Sequence, residues 1–149
     1  MRRYIYFMIP LILMAFVFSG YTYPARKIVP LNDEIRQGAS GEAVFEKMGI
    51  APGQRSVGID LFGLKPDAIY SVWLEKNGEK RERMPLGVDI NHFKTNASGK
   101  GRYVTTASEY DVEYNWDYLI INYHPDGDPK NTENMVTELR GDLKYGYHS

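Results

Sequence analysis

A chain of 149 residues with 18 Lys and Arg against 19 Asp and Glu carries a formal charge of −1 and has no cysteine. The near balance of charge argues against a nucleic-acid partner, which needs a concentrated basic face. The missing thiols exclude a cysteine nucleophile, cysteine-ligated zinc or copper, an acylated-cysteine anchor and a disulfide scaffold.

Met1-Arg2-Arg3 is followed by an almost unbroken apolar run from Tyr4 to Phe18 and then by Ser19-Gly20. A short basic end, an apolar stretch and small residues after it make a secretory signal peptide. Cleavage after Ser19 puts Val17 and Ser19 where a signal peptidase needs small side chains, whereas cleavage after Gly20 would put bulky Phe18 there. The expectation is a signal segment over 1–19 and an exported protein, periplasmic or extracellular. An uncleaved anchor is the alternative and the only route to a membrane. The run is shorter than the roughly 20 residues of a spanning helix, and Pro10 interrupts it. Removing 1–19 leaves about 130 residues and takes Arg2 and Arg3 away, which moves the charge to about −3. That length suits one domain with its own core and is too short for two.

Residues 20–41 read as an extended arm or linker, with Pro24, the basic pair Arg26-Lys27 and Pro30, and a turn capped by Asn32-Asp33-Glu34 that Gly38 and Gly41 end. From 42 to 144, short β-prone runs alternate with turn signals and no 3.6-residue period is sustained. Glu42–Met48 is the first run, ended by Ala51-Pro52-Gly53. In Ser56–Phe62, Val57, Ile59 and Leu61 alternate with Gly58 and Asp60. Ile69–Lys76 sets Tyr70, Val72 and Leu74 on one side and Ser71 and Glu75 on the other. Asn77-Gly78 is a type I′ hairpin signal that predicts Glu75 opposite Lys80 and Leu74 opposite Arg81. The charged run 79–83 reads as a guarded edge strand. His92–Thr95 and Gly101–Ala107 predict a second hairpin around 96–99, and Trp116–His124 a central strand. Met135–Leu143 closes the domain with Met135, Thr137 and Leu139 on one face, and 145–149 reads as a disordered tail. The expected fold is all-β, an antiparallel two-sheet sandwich of seven or eight strands, preferred to a closed barrel.

The segment Leu61-Phe62-Gly63-Leu64-Lys65-Pro66-Asp67-Ala68-Ile69-Tyr70-Ser71-Val72 resembles the Leu-x-Pro-x-x-x-Tyr-x-Val stretch of fibronectin type III and related immunoglobulin-like modules. The resemblance implies a tyrosine corner, in which Pro66 stiffens the turn and the Tyr70 hydroxyl bonds an upstream backbone group while its ring enters the core. It covers about a dozen residues, and the order of strands around it differs from that family. What it implies is therefore the local corner, the sandwich architecture and a binding or connecting role by analogy of fold.

Chemistry-bearing constellations are few. Asp126, Asp128 and Asn131 make an oxygen-rich loop able to hold calcium, although Pro129-Lys130 breaks the EF-hand pattern and an ordinary solvated turn is the simpler expectation. His92 and His124 offer a metal or acid–base pair only if the fold brings them together. No Gly-x-Ser-x-Gly elbow occurs. No catalytic or cofactor-binding residue stands out, so the protein is expected not to be an enzyme. Trp73, Trp116 and Tyr118 are the candidate ligand-binding aromatics, suited to stacking on sugar rings or anchoring a protein. The functional expectation is an exported, non-catalytic module for protein interaction or self-assembly. A carbohydrate-binding module and a calcium- or metal-dependent enzyme are the alternatives.

Overall fold

The structure is a computed structural model that describes residues 26–78, 80–88, 90–145 and 147–148. The predicted signal segment lies outside the described residues. Runs of alternating apolar and polar residues become strands because every second side chain can then enter one core. They are β1 (Arg26–Asp33), β2 (Ser40–Lys47), β3 (Gln54–Phe62), β4 (Ile69–Glu75), β5 (Arg83–Pro85), β6 (His92–Lys94), β7 (Gly101–Ser108), β8 (Tyr118–Tyr123), β9 (Val136–Asp142) and β10 (Tyr147–His148). A single π-helical turn, Asp111–Asn115, separates β7 from β8.

All pairings are antiparallel, and the order along the sheet is β5-β4-β8-β9-β1-β2-β3-β7, with β6 also on β4 and β10 also on β1. The fold is thus all-β and antiparallel, as expected, but it is one continuous curled sheet and not a two-sheet sandwich. The cause is β1. It pairs with β2 from Arg26 to Leu31 and with β9 at Asn32 and Asp33, so it stitches the two halves together. The stretch expected to be a free arm therefore contributes Val29 and Leu31 to the core. Pro30 is accommodated because its nitrogen faces the edge between β10, which pairs at Lys27 and Ile28, and β9. In the stretch expected to be a disordered tail, Tyr147 and His148 form β10.

The core is one cluster drawn from both halves, including Phe45, Val57, Ile59, Leu61, Tyr70, Val72, Leu74, Leu119, Ile121 and Leu139, all without exposed surface. The alternations predicted for β3 and β4 hold residue by residue. Two registers and one turn differ from expectation. β4 pairs Glu75 with Arg83 and Leu74 with Met84, because the longer 76–82 connection keeps the charged run in solvent and delivers Met84 and Leu86 to the core. Asn77 N–H bonds Asp117 Oδ2 instead of closing a two-residue turn. A bulge in β9 at Glu138 places Leu139 opposite Ile121 and Thr137 opposite Asn122, hence on opposite faces.

That bulge matters for the corner at Tyr70. The Tyr70 hydroxyl accepts a bond from Lys65 N–H at 3.0 Å and donates to Glu138 Oε2 at 2.8 Å, while Lys65 Nζ lies 2.8 Å from Glu138 Oε1. Tyr70→Phe leaves an amide and a buried carboxylate short of a partner, so urea unfolding should show a loss of about 1–3 kcal/mol.

Near the other end, the Lys144 ammonium and then the Asn77 N–H hold the Asp117 carboxyl below its usual range. A carboxylate depressed in the folded state adds stability above its unfolded value of about 4, and that part is lost as pH falls through the lower folded value. Asp117→Asn should lower the urea midpoint at pH 7 and make it less sensitive to acidification toward pH 3.

Candidate functional site

The sheet curls until its two ends, β5 with β6 on one side and β7 on the other, face each other without pairing. The seam starts at the turn between β6 and β7. Asn96 organises that turn: its Oδ1 accepts from Ser98 N–H and Lys100 N–H, and its own N–H bonds Lys100 O. Beyond the turn the two strands splay. β6 pairs with β4, setting Phe93 opposite Tyr70, while β7 pairs with β3. The hairpin predicted around 96–99 is thus present as a turn but not as a ladder, because each strand finds a longer partner.

At the narrow end of the seam, the Phe93 ring fills the space that a Cβ on Gly101 would occupy, and it stacks on Tyr70 at 5.8 Å between centroids. Halfway along, Tyr103 acts as a crossbar. Its hydroxyl lies 2.6 Å from Leu86 O and 2.7 Å from Ile90 O, sharing one proton between two carbonyls of the strap that joins β5 to β6. Burial pushes the Tyr103 pKa up, which keeps that proton in place. At the wide end the seam opens into a cleft of about 500 Å³. Buried Leu74, Leu86 and Ala107 line its apolar part, Met84 and Val88 come from one side, and Thr106, Ser108 and Asp111 from the other.

Asp111 belongs to the π-helical turn, which closes the adjoining end of the curled sheet. Val112 of this turn enters the core. Glu113 lies 3.0 Å from Lys27 Nζ and 3.0 Å from Arg55 Nη2, and Glu109 lies 3.0 Å from the same Arg55 nitrogen. Lys27 and Arg55 are 3% and 1% exposed, so these carboxylates answer charges that water cannot reach.

The outer face of β4 and β8 carries a second polar group. Ser71 Oγ lies 2.6 Å from His124 Nε2 and accepts a bond from Trp73 Nε1–H at 2.8 Å. The Ser71 oxygen has a second lone pair besides the one that receives the indole proton, so the Ser71–His124 bond runs in the direction set by the imidazole tautomer. Both side chains are buried, and the cleft does not reach them. The contact ties β4 to the end of β8, and among the described residues the cleft lining includes neither side chain.

Of the candidate aromatics, Trp73 and Tyr118 share this outer face, Trp73 opposite Ile120 and Tyr118 opposite Glu75, with the Arg140 guanidinium 4.8 Å from the Tyr118 ring centre. Trp116 packs against the core instead. In the candidate calcium loop, Asp126 accepts from Asp128 N–H and from Asn131 Nδ2, and Asp128 accepts from Lys130 N–H. These are self-contained turns in which Asn131 presents a donor to Asp126. Among the described residues no group of three His, Asp or Glu side chains converges on a metal-sized space. His92 stands opposite Ser71, on the other side of β4 from the strand that leads to His124.

Sequence reasoning missed the cleft. Its only sequence signal was Met84-Pro85-Leu86 directly after a charged edge. No family model matches this chain, and neither a curated protein nor a solved structure does. Glu113→Ala leaves Lys27 without its partner and removes one of two carboxylates from Arg55, so denaturant titration should show a loss of about 3–5 kcal/mol.

Proposed function

We propose that this protein is a non-catalytic binding module that works outside the cytosol and takes a segment of a protein partner in the cleft between β5 and β7. The cleft carries the reading. An apolar floor bordered by a few polar groups is the usual form of a binding site, and this one lies between two sheet ends that pair with nothing else among the described residues. Val88 and Ile90, 77% and 60% exposed, extend the apolar surface beside it. The export half of the reading rests on the basic-apolar-small pattern of Met1–Gly20. The enzyme alternative would use Asp126, Asp128, His124 and His92, of which Asp126 and Asp128 accept bonds within their own loop and His92 stands on the other side of β4 from the strand that leads to His124. The carbohydrate alternative would use the outer face, where Arg140 already lies over Tyr118.

Panning a phage-displayed random octapeptide library on the protein tests the reading. Enriched peptides should shift the backbone amide resonances of residues 84–88 and 106–108. Ser108→Trp, which sets an indole at the mouth of the cleft, should weaken them by about tenfold or more, a change of about 1.4 kcal/mol, without lowering Tm. No enrichment, or enriched peptides that ignore Ser108→Trp, would overturn it. Hits on a glycan array that vanish in Trp73→Ala and survive in Ser108→Trp would move the function to the outer face.

A further inference from the structure

The free edge of β7 has a defined chemistry. Glu109 N–H bonds Gly53 O and Met48 N–H bonds Gln54 O, so along β3 odd-numbered residues face β7 and even-numbered ones face β2. The matching alternation on β7 turns the N–H and C=O groups of Arg102, Val104, Thr106 and Ser108 away from β3. At the turn this outward edge is occupied, since Asn96 N–H bonds Lys100 O. Past the turn β6 departs to β4, and among the described residues no strand replaces it. The opposite edge is protected differently, by the charged run from Lys80 to Arg83 that leads into β5. Along β7 the only charged side chain is Arg102.

Resting on the cleft as the binding site, we infer that the partner segment binds as an extended strand antiparallel to β7, along the line that β6 vacates. Past the point where Phe93 packs on Gly101, it pairs with the backbone of Val104, Thr106 and Ser108 and lays an apolar side chain against Leu74, Leu86 and Ala107. Charge sets the direction. An antiparallel segment begins beside Ser108 and Asp111 and ends beside Arg102. It therefore suits a peptide with a free amino group or a basic residue at its start and an acidic residue at its end. Between them every second residue faces the cleft and is apolar, which gives the recognised sequence a period of two.

The experiment uses the peptides recovered from the octapeptide library, each remade with single N-methylated amides along its length. Strand addition predicts a period of two: N-methylation at alternate positions weakens binding by about tenfold, the loss of one backbone hydrogen bond, and at the intervening positions changes it little. Thr106→Pro should cause a similar loss while leaving the β3 ladder intact, because the N–H it removes points outward. Asp111→Lys should weaken peptides with basic starts. Peptides that are blocked by Ser108→Trp but tolerate N-methylation everywhere keep the cleft as a binding site and overturn strand addition. Peptides with acidic starts and basic ends overturn the antiparallel direction. A protein that sediments as a dimer and becomes a monomer in Thr106→Pro has a second copy on this edge, which overturns the partner segment.

Discussion

Gly41 and Gly141 stand on the inner face on either side of β1, and each leaves to β1 or its neighbours the space that a side chain would take. A Cβ at Gly41 would lie 2.5 Å from Leu61 Cδ2 and 2.9 Å from Asp60 O; at Gly141 it would lie 2.7 Å from both Leu31 Cδ2 and Val29 Cγ1. A sheet that curls tightly crowds its concave side, and small residues must alternate there with large ones. Around β1 they do: Leu31 pairs with Gly41, Gly41 with Leu61, and Leu61 with Gly101. This alternation lets β1 hold β2 on one edge and β9 on the other while Val29 and Leu31 still reach the shared core. With bulkier residues at these two positions the halves would have to open, and the single cluster from Phe45 to Leu139 would divide into two smaller ones with more surface per buried atom.

The open ends of the curl are closed by different means. Near Tyr70 a neutral hydroxyl, an amide, a carboxylate and an ammonium satisfy one another, with Lys65 Nζ also 3.9 Å from the Tyr123 ring centre. At the far end Lys27 and Arg55 point inward from β1 and β3, and the π-helical turn supplies Glu113, with Glu109 just before it, to meet them. That turn therefore has two tasks. It neutralises cations the sheet could not otherwise bury, and through Asp111 it forms part of the rim of the cleft. The acidic rim of the cleft and the ion pairs at that end of the sheet come from neighbouring residues, Glu109, Asp111 and Glu113.

Much of this was legible along the chain where one rule governed one segment. Val57, Ile59 and Leu61, then Tyr70, Val72 and Leu74, declare their faces by alternation alone, and the Tyr70 hydroxyl finds the upstream amide that Pro66-Asp67 suggested. β1 was misread because Pro30 and the Arg26-Lys27 pair argue against a core strand. Its inward Lys27 is tolerable only because Glu113, 86 residues away in sequence, pairs with it. The sandwich was preferred to a closed barrel, and the curled sheet lies between the two because strand periodicity does not say whether two halves share a strand. The Asn77-Gly78 turn gave way to burial of Met84 and Leu86, a tertiary gain that outweighs a local turn preference.

The cleft could not have been found this way, because it is made by what two neighbouring strands fail to do. β6 and β7 leave a tight turn in position to pair, yet β4 pairs with β6 and sets Phe93 beside buried Tyr70, and β3 offers β7 eight paired residues. The carbonyls of Leu86 and Ile90 could have met β7 from the other side. They accept from the Tyr103 hydroxyl instead, and Gly87, with φ of 109°, lies where a side chain would strike Thr105 and that same hydroxyl. The strap is thus held against β7 by a side chain and not by its backbone, at a spacing set by a tyrosine ring. A phenol bridges the gap there, and among the described residues no strand pairs with the outward amides of β7.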